Sequence, residues 1–249
     1  EAVKGNVIER YISPYTAKLS YNGVYMKNNT SLSINIKNLL ASKLSFKIEK
    51  NNEPQVLIIH THTTESYTKR DEPYVEVSSW RTLDGNYNMR SIGAEVGRLL
   101  TESGISVVLE DTVHDYPGYN GSYVRARKTI RKALEQYPSI RLVLDLHRDA
   151  SGSEGRQLRT LAKTDSGTAA QLMPVVGTNH KNYEENLALA LKLSAQLERE
   201  RSRVDTLQRE IRRIRVINTA VAITIAVVAV VALYVVIDAL NGGWGLIRY

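Results

Sequence analysis

Apolar residues recur along this chain in three separable patterns. The first is the short continuous run. Val56-Leu57-Ile58-Ile59, Ile105 to Leu109 and Leu142-Val143-Leu144-Asp145-Leu146 are bounded by polar or turn residues, which predicts strands buried on both faces. The second is the helical period. Ile92, Val96, Leu99 and Leu100 fall at i, i+4, i+7 and i+8, predicting a helix over 88–103 that Gly104 stops; another, over 123–137, ends at Pro138. Strand, helix, strand, helix, strand at this spacing predicts an α/β domain on an open, mostly parallel sheet flanked by helices. Weaker signals surround it. Ser31 to Ile36 alternates like an edge strand, residues 151–173 read as a long loop or hairpin, and Val175-Val176-Gly177 reads as a short strand.

The third pattern begins in a helix near Asn182. From Ala190 the apolar residues approach a seven-residue repeat, namely Leu193, Leu197, Val204, Leu207, Ile211 and Ile214, with Glu200 interrupting one seam position. This is compatible with a coiled coil that self-associates, or with a single solvated helix. Thr219 to Ile237 then carries no charge. An apolar run of about 20 residues matches the thickness of a bilayer core, so a transmembrane helix is expected over 218–240. The organisation expected is an N-terminal region (1–50), an α/β domain (51–193), a long basic helical stalk (194–217), the membrane span and a short tail (241–249).

The formal charge of +7 changes this picture little once it is located. Between Lys192 and Arg215 stand eight Lys/Arg against four acids, so this segment supplies most of the excess. The remainder is nearly balanced and no nucleic-acid partner is expected; the basic block adjoins the apolar run, where anionic lipid is its natural partner. There are no cysteines, which excludes thiolate metal knuckles and cysteine nucleophiles and leaves His and carboxylates as ligands. The chain starts at Glu1 without a signal-like segment, as expected of a processed or truncated form.

Two segments carry candidate chemistry. His60-Thr61-His62-Thr63-Thr64-Glu65 follows the first buried run, and Asp145-Leu146-His147-Arg148-Asp149 closes the third. In open α/β sheets functional groups collect beyond the carboxyl ends of the strands, and a parallel neighbour would bring His147 to the edge that holds His62. Continued alternation puts His60 and His62 on one side. Two imidazoles and a carboxylate are ligands zinc accepts where it keeps an open position, and Asp145 could orient a ligating imidazole. His114 and His180 are read as exposed loop residues. Arg148 could bind a substrate carboxylate or pair with Asp149.

Residues from about Tyr21 to Leu193 resemble the stage II sporulation protein P family of endospore-forming bacteria. The resemblance rests on Tyr25-Met26-Lys27-Asn28-Asn29-Thr30, Gln55 through His60-Thr61-His62-Thr63-Thr64-Glu65-Ser66-Tyr67, His114-Asp115-Tyr116-Pro117, Asn120-Gly121-Ser122-Tyr123, Tyr137 through Asp145-Leu146-His147-Arg148-Asp149-Ala150, and Val175-Val176-Gly177-Thr178. It implies a zinc N-acetylmuramoyl-L-alanine amidase that remodels septal peptidoglycan during engulfment. Its implied company is a lytic transglycosylase and a membrane scaffold. It further implies His62, Glu65 and His147 as zinc ligands, with His60 in reserve and Glu65 alternatively a base. The family continues into a last strand bearing a catalytic Glu in a Leu-Ile-Glu-Val-Gly-like context. Here Glu198, Glu200 and Glu210 fall in the basic stretch instead, leaving Glu65 and Asp149 as acid/base candidates. An impaired, membrane-anchored peptidoglycan-binding or scaffold module is the competing expectation. The resemblance puts the amidase domain on the extracytoplasmic side, whereas the basic residues before the apolar run favour the opposite orientation.

Overall fold

A computed structural model of the chain describes residues 6–10, 17–67, 81–149, 152–153, 156–164 and 167–240. Its elements in order are β1 (Asn6–Arg10), β2 (Leu19–Tyr21), β3 (Val24–Met26), α1 (Ile36–Ala41), β4 (Val56–Ile59), α2 (Met89–Glu102), β5 (Val107–Leu109), α3 (Ser122–Gln136), β6 (Leu142–Asp145), β7 (Gly152–Ser153), β8 (Arg156–Thr164), β9 (Gly167–Ala170) and α4 (Tyr183–Leu240). They divide into two compact units. One comprises Glu1–Ser13, Ala41–Leu161 and Gly177–Leu189, the other Pro14–Leu40, Ala162–Val176 and Ala190–Tyr249.

The first unit holds a three-stranded parallel sheet in the order β5-β4-β6, in which Val56 pairs with Val107 on one side and Leu142 on the other. The central strand is Val-Leu-Ile-Ile because both its faces are covered, and all four residues are buried. Leu57 packs with Ala133 and Ile140 beneath α3, while Ile58, one residue on, faces α2 at Gly93. Asn88 caps α2, its side chain accepting from the Arg90 amide, and the left-handed Gly104 (φ 84°) follows the helix end. The buried stripe of α2 is Met89, Gly93 and Gly97; Ile92 and Leu99 of the expected apolar stripe are 41% and 50% exposed. Size decides this. A Cβ on Gly93 would stand 2.4 Å from His60 Nε2, and one on Gly97 2.8 Å from Leu109 Cδ2.

Elsewhere β1 pairs in parallel and β7 antiparallel with β8, which β9 also joins, so the hairpin expected within 151–173 is present. In the second unit β2 and β3 form a two-stranded hairpin turning at Asn22-Gly23.

Several expectations are corrected. The parallel sheet is small, with the other strands in separate sheets. Ser31 to Ile36 is not a strand: the Asn35 side chain accepts from the Asn38 amide at 3.0 Å and starts α1 at Ile36. Val175-Val176-Gly177 is irregular. The transmembrane helix is not supported, because among the described residues no helix is long and apolar enough to cross a membrane. No Gly or Pro interrupts residues 183–240, and stalk and expected span form one continuous helix, α4. Leu187, Ala188 and Leu191 near its start are buried, and from residue 199 to 219 its described side chains are exposed or half-buried. Those of 225–240, within the expected span, lie outside the described residues.

Candidate functional site

The carboxyl edge of the parallel sheet is where chain-local order and long-range pairing meet. β4 ends at Ile59, level with Asp145 of β6, and β6 lies on the opposite side of β4 from β5, so connections diverge here, the place where open α/β sheets form a ligand crevice. Residues 61–64 then turn rather than extend, so the two imidazoles diverge. His60 is buried under α2, donating from Nδ1 to the Leu146 carbonyl at 3.1 Å, with Nε2 against Gly93. Burial lowers its pKa. His62 faces the crevice.

The threonines between these residues fix the turn. Thr61 donates to Asp145 from its amide (2.9 Å) and its hydroxyl (2.6 Å). Thr63 donates to the carbonyls of His60 and Thr112. Thr64 donates its hydroxyl to Asp115 at 2.7 Å. The Thr61 bonds tie the turn to the end of β6, and those of Thr63 to Thr112 and of Thr64 to Asp115 tie it to the segment beyond β5, so Glu65 is delivered to a fixed place.

At that place Glu65, His62 and His147 come together. His147 Nδ1 is 3.6 Å from Glu65 Oε2, and its Nε2 is 3.1 Å from Asp145 Oδ2. The His62 and His147 rings meet edge to face at 5.3 Å. Glu65 also accepts the Arg148 amide at 3.1 Å. The Asp145 contact first, and then the Glu65 carboxylate, raise the His147 pKa to about 9. For Asp145 burial acts upward, but the bonds from His147 and Thr61 prevail and hold its carboxyl below the ordinary value. Burial lowers the His62 pKa and that of Arg148.

An aromatic wall stands on the other side of His62. Tyr119 stacks on its ring at 4.7 Å and its hydroxyl lies 3.3 Å from Nε2. The buried Ser122 hydroxyl is 3.4 Å from Nδ1, and Tyr123 meets the ring edge-on at 5.3 Å. Arg81 covers Tyr119 with its guanidinium 4.6 Å from the ring centroid, pairs with the buried Asp115 at 2.5 Å and lies 3.7 Å from Glu65.

The sequence-predicted His62, Glu65, Asp145 and His147 are therefore gathered, with the Arg148 backbone beside them. Asp149 lies exposed next along the chain, and His180 is exposed. His114 is not the exposed loop residue expected: fully buried, it joins the His60 carbonyl (2.9 Å) to Thr129 (3.0 Å). Arg81, Asp115, Tyr119 and Ser122 were missed. Asp115 and Tyr119 lie just beyond the carboxyl end of β5, so the edge rule applied to β4 and β6 would have found them there. Nothing local to Arg81 marks it.

Zinc requires donors at about 2.0–2.1 Å, which places neighbouring donors of a tetrahedral ion roughly 3.3 Å apart. The 3.6 Å between His147 Nδ1 and Glu65 Oε2 is close to that spacing, and Asp145 on the far nitrogen is the partner a ligating imidazole uses. The two nitrogens of His62 face hydroxyls, so its ring must turn to complete the set. As they stand, among the described residues no group of three or more His, Asp or Glu could hold a metal ion. Glu65 and His147 are donors of a kind zinc accepts, at a spacing near that of two ligands, and His62 stands beside them without completing a set.

The profile of the stage II sporulation protein P family matches residues 14–202, more than half of the chain's 249 residues. Stage II sporulation protein P of Bacillus subtilis (strain 168) is 28% identical over 150 residues, covering 58% of this chain and 36% of that protein. The match thus spans about a third of the relative's length. No solved structure matches the chain.

Proposed function

The chain belongs to the stage II sporulation protein P family, whose place is in sporulation, and from that premise we propose a zinc-dependent N-acetylmuramoyl-L-alanine amidase acting on peptidoglycan. The observation that carries this reading is the meeting of Glu65 and His147 beside His62 at the carboxyl edge of the sheet. His62, Glu65 and His147 would hold the metal, the His62 ring turning to join the other two. Zinc, when bound, supplies Lewis acidity toward an amide carbonyl and toward water.

The chain's own side chains do the rest. Asp145 accepts from His147 Nε2, leaving Nδ1 as the donor atom. Arg148 offers its guanidinium to a stem-peptide carboxylate, and Tyr123, 61% exposed, presents its ring to the sugar and lactyl group. Hydrolysis adds water to the carbonyl carbon and breaks the bond to the L-alanine nitrogen. That nitrogen leaves with a proton, for which the exposed Asp149 carboxyl is the candidate donor.

A second reading, a module that binds peptidoglycan without cleaving it, draws support from the open donor set and from His147 held protonated between two carboxylates. The two readings part in one assay on purified peptidoglycan with zinc, then with a chelator. Amidase action exposes new N-terminal L-alanine and no new reducing ends, and the chelator abolishes it. Retention on the polymer with no new amino groups supports the binding module, and new reducing ends would indicate glycan cleavage and overturn the amidase reading.

A further inference from the structure

Beyond Ala190, α4 has two unlike faces. Leu191 is buried at 4% exposure, and a Cβ built on Gly23 of the hairpin turn would lie 3.4 Å from the Glu198 side chain, so positions 191 and 198 mark the packed side. At about 100° per residue, positions 193 and 197 fall on the opposite side. There Leu193, Leu197, Val204, Leu207, Ile211 and Ile214 are 40–55% exposed. Between residues 199 and 219 no side chain is buried. A helix gains most of its stability from packing an apolar face, and this stretch carries such a face without a partner among the described residues.

The face has a strict three-four spacing, from Ala190 at a and Leu193 at d to Asn218 at a and Val221 at d. Branched Val204 and Ile211 at a with Leu207 at d favour two parallel strands, Leu197 at a and Ile214 at d work the other way, and the single Asn218 at a fixes register and strand number. The flanking charges select the same order. In a parallel pair each g residue meets the e residue five positions later in the partner strand, joining Gln196 to Arg201, Arg203 to Gln208 and Glu210 to Arg215. One contact is an ion pair and none opposes like charges. An antiparallel pair would instead bring the arginines at 201 and 215 together. Glu200 is the one charged seam residue, and Arg203 4.0 Å away on the same helix partly compensates it.

We propose that a second copy of this chain covers this face, pairing parallel and in register along residues 190–218. The chain has no cysteine, so single cysteines report the geometry. In the full chain, Val204→Cys at a should form an interchain disulfide under mild oxidation, whereas Ser202→Cys on the outer face should lose it. Glu200→Leu should lower the dissociation constant measured by sedimentation by roughly tenfold, the scale of one relieved polar burial. Equal cross-linking of both cysteine variants, a monomeric Glu200→Leu chain, or cross-linking of Val204→Cys only to a different protein would each overturn the proposal.

Discussion

His147 Nε2 lies 3.1 Å from Oδ2 of Asp145, two residues earlier at the same strand end. This bond fixes which imidazole nitrogen faces Glu65. Asp145→Asn keeps the shape and removes the charge, so the His147 pKa should fall from about 9 toward the ordinary imidazole value. Zinc affinity should fall by about 10–100-fold, as when other partners of ligating imidazoles are removed. NMR titration of the metal-free protein and calorimetric zinc binding measure the two effects. An unmoved His147 titration would mean that Glu65 alone holds the proton.

The raised His147 pKa also sets the pH dependence. The proton is bound more tightly in the folded than in the unfolded chain. The stability it contributes is therefore complete below about pH 6.5 and is lost as pH rises through about 9. Metal-free protein should melt at progressively lower temperature across that window, and His147→Gln should flatten the change. Zinc must displace the same proton, so its affinity should rise about tenfold per pH unit up to about 9. A zinc affinity independent of pH between 7 and 9 would remove His147 from the ligand set.

Stoichiometry tests the ligand set directly. His62→Ala and His147→Ala should each abolish one-to-one zinc binding, whereas His180→Ala, on an exposed loop residue, should leave it intact. Elemental analysis of the purified variants decides it. Full zinc occupancy in either of the first two variants would break the shared site.

Gly93→Ala tests the packing beneath the site. The added methyl would lie 2.4 Å from His60 Nε2 and 3.3 Å from Ile58 Cγ2, so the ring or the helix has to move, at a cost of about 1–3 kcal/mol. Denaturant unfolding should show that loss, whereas Ala94→Ser on the exposed side of α2 should stay near neutral. Unchanged stability of Gly93→Ala would mean that His60 can leave its place without cost.

This glycine also shows where the sequence was legible. The parallel strands and their helices could be read because continuous and 3.6-period patterns are strong, and the carboxyl-edge rule put His62 near His147. It failed where size or long-range pairing decided. Ile92 and Leu99 are more hydrophobic than Gly93 and Gly97, but only a glycine leaves room for His60 or Leu109. His60 parted from His62 because hydrogen bonds from Thr61, Thr63 and Thr64 turn the chain just after β4. Arg81 reaches Asp115 across 34 positions, a pairing no local pattern encodes. Asn35, read as part of an alternating strand, acts through its side chain as a helix cap.

The division of labour between the two acidic candidates is the remaining question of mechanism. Glu65 is 3.6 Å from His147 Nδ1 and accepts the Arg148 amide, so it is held as a ligand would be, and Asp149, next to Arg148 in the chain, is exposed, which leaves it accessible to a departing amine. Glu65→Gln should therefore lose zinc and turnover together. Asp149→Asn should keep stoichiometric zinc while turnover falls by about 10²–10⁴, the range for loss of general acid/base help. Measuring both metal content and release of N-terminal L-alanine separates the roles. A zinc-replete but inactive Glu65→Gln protein would make Glu65 the base. An Asp149→Asn protein with undiminished turnover would move proton delivery to a different group at the rim, with Tyr123, whose ring stacks 6.5 Å from that of His147, the next to substitute.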